Sequence, residues 1–154
     1  MAEEQAPAKE TKPKEAVKAD LGKRAVAAIV DWAITWVVAL IIPFLGGIIG
    51  AAYILLRDGF NISFMDRRSL GKKLLKLRPT TLDGSPVDLV VSMKRNWVFA
   101  VGPLLMIFPI VGWILGSIIG LVLGIIEIIL VLTDPEGRRM GDKMANTKVI
   151  EVED

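Results

Sequence analysis

The chain contains no cysteine and no histidine. Without thiols it can form no disulfide and no thiolate metal site. Without imidazole it lacks the commonest metal ligand and the usual general base near neutral pH. No metal centre and no cofactor is expected. Net charge of one sign is also scarce, at +2, which gives no electrostatic reason to expect nucleic acid as a partner. Motifs of catalysis are missing too. The serines of Asn61-Ile62-Ser63 and of Ser92-Met93 have no histidine to activate them. The stretch Gly137-Arg138-Arg139-Met140-Gly141 follows a helical segment, which is the wrong order for a phosphate-binding loop. An enzyme is not expected.

What the chain has in excess is apolar residues, and they come in blocks. Of its 154 residues, 53% are hydrophobic, and the mean hydropathy is +0.51. Residues 25–56 carry one charge, Asp31, and residues 97–132 carry one, Glu127. A soluble domain would interleave apolar and polar residues at a period of 2 or 3.6 instead. A membrane span needs ~20 mostly apolar residues, so each tract is too long for one span and just long enough for two.

The first tract breaks at Pro43-Phe44-Leu45-Gly46-Gly47 and the second at Pro109-Ile110-Val111-Gly112. Pro and paired Gly punctuate helices. The expected fold is therefore all-α and membrane-embedded, with four transmembrane helices arranged as two hairpins. The spans fall near residues 24–42, 46–60, 95–108 and 111–133, and Gly102-Pro103 bends the third. All 19 Lys and Arg residues lie outside the two apolar tracts, and neither tight turn carries one. The positive-inside rule then puts the N-terminal tail, the middle segment and the C-terminus in the cytoplasm. The expected location is the cytoplasmic (inner) membrane of a prokaryote, crossed several times. The expected partners are the bilayer and its anionic head groups.

Residues 1–20 are rich in Ala, Glu, Lys and Pro, too polar to offset the entropy of ordering, and read as a disordered cytoplasmic tail. They also lack a short apolar core with a cleavage site, so the first span reads as an uncleaved anchor. The membrane domain then covers residues 21–152. In the middle segment, Leu70, Leu74, Leu75 and Leu77 alternate with Lys72, Lys73, Lys76 and Arg78. This mix predicts a short basic amphipathic helix on the cytoplasmic membrane surface. Residues 147–152 alternate and are β-branched, which suits a small cytoplasmic β-ribbon with residues 77–82.

Two carboxylates stand within the spans. Asp31 lies seven residues after Arg24 on the same helical face, ~10 Å inside span 1. A charge there costs ~2.5–3.5 kcal/mol on insertion scales. Asp31 reads either as a cation or proton site or as a buried structural partner for an Arg or a backbone group. Glu127 sits at matching depth in span 4. It either converges with Asp31 on one ion site or pairs with Lys94 or Arg95. Gly112, Gly116, Gly120 and Gly124 make a smooth stripe along span 4. Such a stripe lets a helix approach closely. The simpler reading is packing against span 1 or 2, where Gly46, Gly47, Gly50 and Ala51 offer a match. The sharper reading is a homo-oligomer.

These residues resemble the RDD family of bacterial and archaeal membrane proteins, named for one Arg and two Asp. Arg24 and Asp31 match the Arg and first Asp of that signature, and Asp142 matches the second. Asp134, Arg138, Lys143, Ala145, Thr147 and Val149 fit the stretch around it. Ser69-Leu70-Gly71-Lys72-Lys73-Leu74-Leu75, then Leu77-Arg78 and Asp83-Gly84, look like the family's middle segment. The chain departs from the family at Gly141, where many members carry His, and at Pro79, which interrupts an apolar strand. Glu127 lies outside the signature. The resemblance implies a membrane protein with a role in transport, cation/proton antiport having been suggested for some members. The leading functional expectation is a small transporter or transporter subunit that handles a cation or proton through Asp31. The rival is a non-transporting membrane scaffold whose buried charges are structural.

Overall fold

The structure, a computed structural model, describes residues 18–42, 45–105 and 107–153. The turn at Pro43 and the tail through residue 17 lie outside these. Eight elements follow in order: α1 (Leu21–Ile41), α2 (Gly46–Leu56), α3 (Leu70–Leu74), β1 (Leu77–Thr81), α4 (Leu89–Leu105), α5 (Val111–Thr133), α6 (Met140–Met144) and β2 (Thr147–Glu151). The fold is mostly helical with one small antiparallel ribbon, as the residue pattern predicts.

The helix ends are set by local chemistry. Asp20 caps α1 by accepting the Lys23 amide at 2.9 Å, which satisfies one of the four open donors of a first turn. The three residues expected to close a disordered tail are instead packed. Lys18 bridges Ile150, the Ala19 amide donates to the Val149 carbonyl at 3.3 Å, and Ala19 is buried. The second and third helices differ from the expected spans. α2 stops at Leu56, because the next residues, Arg57 and Asp58, are drawn into polar contacts described below. At 11 residues it is ~16 Å long. α4 starts at Leu89, earlier than expected, and carries Pro103 inside it. Among the described residues, α5 is the one helix long and apolar enough to cross a membrane by length and composition.

The interior is unusually polar. Asp31, Arg57, Asp58, Lys72, Arg95, Asn96, Glu127 and Asp142 are buried, while Trp32, Trp36, Ile118, Leu121 and Ile128 are exposed. In water this arrangement would lose the hydrophobic driving force. In a bilayer it is the sensible one, since lipid covers the apolar exterior and buried charges pair with one another.

The chain is built from two similar halves, a repeat that is short but legible. Leu70-Gly71-Lys72-Lys73-Leu74 answers to Met140-Gly141-Asp142-Lys143-Met144. Each five-residue helix lies across the first helix of its own half, α3 on α1 and α6 on α4. In both cases glycine makes the approach: a Cβ on Gly71 would stand 2.1 Å from the Ala27 carbonyl oxygen, and one on Gly141 2.0 Å from that of Arg95. Lys76 and Asn146 take the left-handed conformation at the corresponding corners, with φ of 55° and 50°. Each turns its chain from helix to strand. The strands then pair with Leu77 opposite Glu151 and Thr81 opposite Thr147. Pro79 faces Val149, the residue in the same place in the other half.

Of the long helices, α1 packs on α2, α2 on α4 and α4 on α5. Two glycines of the stripe lie at the last contact. A Cβ on Gly102 would meet the Gly116 carbonyl oxygen at 3.1 Å and Gly120 Cα at 3.5 Å. The stripe therefore meets α4 of its own hairpin, rather than the first or second helix. Two of its members stand apart from that contact: Gly112 fits under the preceding turn at Leu105, and Gly124 has open space before it.

Candidate functional site

Asp31 and Arg57 form the first of three linked clusters at the end of the bundle that carries the ribbon. Asp31 Oδ2 is 3.1 Å from Arg57 Nη1. Its Oδ1 accepts the Gly71 amide at 2.9 Å and the Tyr53 hydroxyl at 3.2 Å. Tyr53 in turn lies 3.5 Å from the Leu70 amide. One carboxylate on α1 thus holds the start of α3 and the residue that ends α2.

Asp58 centres the second cluster. Its Oδ1 receives Lys72 Nζ at 2.6 Å and the Ser69 amide at 3.2 Å; its Oδ2 receives Asn96 Nδ2 at 3.1 Å and lies 3.5 Å from Arg95 Nε. The Asp58 amide donates to Ser92 Oγ at 3.2 Å, and that hydroxyl donates to the Leu55 carbonyl at 2.7 Å. Burial opposes the charge on Asp58, but Lys72, Arg95 and Arg57 outweigh it and hold the group well below the usual carboxylate range. For Lys72 burial wins, and the amine is pushed down to about 7 against the pull of Asp58. The amphipathic surface helix expected here is inverted: Lys72 is 8% exposed and Leu74 is 70% exposed. A buried carboxylate within reach outweighs the amphipathic pattern.

Asp142 centres the third. Arg95 Nη2 lies 2.8 Å from its Oδ1; Arg139 Nε and Arg24 Nη2 each lie 3.2 Å from its Oδ2. Arg24 and Asp142 therefore meet, though through one nitrogen only, because Arg24 Nη1 donates to the Gly137 carbonyl. Burial opposes ionisation of Asp142, and Arg139, Arg95 and Arg24 overcome it, so the group stays well below its ordinary value. Arg95 bridges the second and third clusters with poor alignment: its nitrogens make ion contacts but no directional hydrogen bond. The circuit closes through α1, which supplies both Arg24 and Asp31.

Glu127 keeps to itself. It accepts the Met140 amide at 2.7 Å and the Gly141 amide at 3.4 Å, and so anchors α6. It pairs with neither Lys94 nor Arg95, and it does not touch Asp31. Both carboxylates do line one cavity of about 380 Å³. That cavity lies between the first turns of α1 and the last turns of α5, two helices that do not pack closely on each other. Its polar end holds Arg24, Asp31, Arg57, Lys72, Glu127 and Arg139, and its walls include Ala28, Trp32, Phe99, Gly124, Ile128 and Val131. Arg139 also lies over the Phe99 ring, 4.9 Å from its centre. Among the described residues, no group of acidic side chains could hold a metal ion.

Arg24, Asp31, Glu127 and Asp142 stand out in the sequence as site residues, whereas Arg57, Asp58 and Lys72 do not, and Arg95 does so only as a candidate partner of Glu127. A signal for α4 existed. Ser92, Arg95 and Asn96 stand at i, i+3 and i+4, so they share one helical face just before an apolar run.

The family model of the RDD family matches residues 48–146. The chain belongs to the RDD family and is, on that membership, a membrane protein. The matched stretch includes Asp58, Lys72, Arg95 and Asp142, whereas Arg24 and Asp31 precede it. No curated protein and no solved structure matches the chain.

Proposed function

We propose that this is a four-span membrane protein that binds a small ligand in the cavity between α1 and α5, and that carriage of that ligand across the membrane is its function. The observation that carries this reading is the cavity itself: six ionisable side chains gathered against an apolar wall. Small-molecule sites typically combine ~300–1,000 Å³ of mostly apolar space with a few convergent polar groups. Transporters assembled from repeats often hold their ligand where the repeats meet. Here the two halves meet closely along α2 and α4. The related seam, α5 against α1, stays open.

In this reading all four long helices enter the bilayer, α2 only part-way, and both hairpins place their charged ends on the cytoplasmic side, as the distribution of Lys and Arg suggests. The membrane is the inner membrane of a prokaryote. Asp31 and Glu127 organise the site.

A second reading gives Asp31 a cation or proton to carry, and its support is that Asp31 lines the cavity. It requires Arg57 to leave the carboxylate in each cycle. The scaffold reading draws on the same ion pairs, all of which can be structural. Proteoliposomes containing the pure protein separate the three. Ligand flux that is lost in Gly124→Trp, which fills the cavity, supports the cavity reading. Loss of pH-driven cation flux in Asp31→Asn, with stability intact, supports the cation reading. Equal flux in wild type, both variants and empty liposomes leaves the scaffold.

A further inference from the structure

The open seam between α1 and α5 has a charge balance that the chain leaves unanswered. The linked clusters, with Glu127 beside them, hold Arg24, Arg57, Lys72, Arg95 and Arg139 against Asp31, Asp58, Glu127 and Asp142. With the Lys72 amine protonated, one positive charge is in excess. An uncompensated charge in a buried site is costly, and an incoming anion would cancel it. Arg57 is 5% exposed and lines the cavity, yet its Nε has no hydrogen-bond partner among the described residues. A buried guanidinium donor left open beside a cavity is suited to an oxygen of a carboxylate or phosphate.

The other wall selects for a hydrocarbon chain. Trp32, Ile128 and Val131 line it, and a Cβ on Gly124 would meet nothing within 4 Å. Trp32 and Ile128 are also exposed on the outside of the bundle, at 58% and 61%. The apolar wall thus runs without a break from the cavity to the surface that faces lipid. A cation would meet an excess of guanidinium here, and a purely polar anion would leave the apolar wall uncovered.

We propose that the seam binds an anionic amphiphile, with its carboxylate or phosphate head against Arg57, Arg24 and Arg139 and its acyl chain along α1 and α5 into the bilayer. Basic pockets between membrane helices on the cytoplasmic side are known to take anionic head groups. The inference rests on the cavity being the ligand site and adds the class of ligand.

The test uses the full chain in neutral detergent, stripped of co-purified lipid. Binding of lysophosphatidylglycerol, of lysophosphatidylcholine with the same chain, and of inorganic phosphate is followed by native mass spectrometry and by the shift in Tm. The anionic lipid should bind at least about tenfold more tightly than either of the others, a difference of ~1.4 kcal/mol. Gly124→Trp should remove that preference, and Ala28→Trp should do the same from the facing helix if the first variant folds poorly. Equal affinity for the two lipids would overturn the proposal. So would phosphate binding as tightly as the anionic lipid, which would assign the site to a free anion. Undiminished binding in both tryptophan variants would overturn the location. Flux that is lost in Gly124→Trp without any preference for anionic lipid would remove the ligand class and leave the cavity reading standing. Preferential binding without flux would support the ligand class and remove transport.

Discussion

Asp31 faces Arg57 across 3.1 Å, and both residues are buried. The two lie on either side of the first hairpin, one near the start of α1 and the other just past the end of α2. Their contact fixes where α2 stops, and Asp31 also holds α3 through the Gly71 amide. That makes Asp31 an anchor of the cavity wall as well as a charge within it.

Asp31→Asn should therefore destabilise the protein. Asparagine can still accept the Gly71 amide, but Arg57 is left buried and uncompensated, at a cost of ~3–5 kcal/mol. Thermal unfolding in detergent should show a clear fall in Tm, and adding Arg57→Met should restore part of it. An Asn variant as stable as wild type would mean that Arg57 finds another partner, which the cation reading needs.

Arg24 and Asp142 should be coupled but unequal. Asp142 answers three guanidiniums, while Arg24 is one of three partners. Asp142→Ala should cost more than Arg24→Ala, and the double variant should be no worse than Asp142→Ala alone. The coupling expected from the double-mutant cycle is ~0.5–3 kcal/mol. Fully additive losses would show that the contact contributes nothing.

The repeat makes a prediction about glycine. Gly71→Ala and Gly141→Ala each place a methyl close to a backbone carbonyl, at 2.1 and 2.0 Å. A short helix must lift off its neighbour in both variants, at ~1–3 kcal/mol or more. Gly124→Ala, facing open space, should be close to neutral. Equal Tm for all three would contradict the close packing of α3 and α6.

Lys72 gives the protein a pH dependence of definite sign. Its folded-state value is lowered from 10.5 to about 7, chiefly by burial. Between those values the unfolded chain binds the proton and the folded one does not, so stability rises as pH rises through that window. Below about 7 the amine is charged in both states and the penalty is complete. Tm measured across that window should climb in wild type, and the slope should flatten in Lys72→Met. An identical slope in the two would rule out Lys72 as its source.

Much of this architecture can be read from residues alone. The two hairpins follow from Pro and Gly breaks in apolar tracts. The ribbon follows from β-branched alternation at Thr147–Glu151, and Arg24 meeting Asp142 from the family signature. The polar interior is harder to read. Arg57, Asp58 and Lys72 flank the apolar tract, where charged residues ordinarily point to water, and the pattern of Lys72 and Leu74 suggests the reverse of the burial found. Only long-range pairing with Asp58 turns Lys72 inward. The cavity is illegible for a similar reason. It arises because α1 presents Ala25 and Ala28 where contact with α5 would be made, and small residues on an apolar face read equally well as a packing surface.

The accessibility of position 124 tests the open seam most directly. The chain has no cysteine, so Gly124→Cys provides a single thiol, and a small charged thiol reagent can be added to inside-out vesicles. If the seam between α1 and α5 is an open cavity, the thiol of Gly124→Cys should react readily, while those of Ile125→Cys on the lipid-facing side and Val98→Cys in the core should not. An unreactive thiol in a folded Gly124→Cys protein would mean that α1 and α5 close upon each other in the membrane, and the ligand site proposed here would not exist.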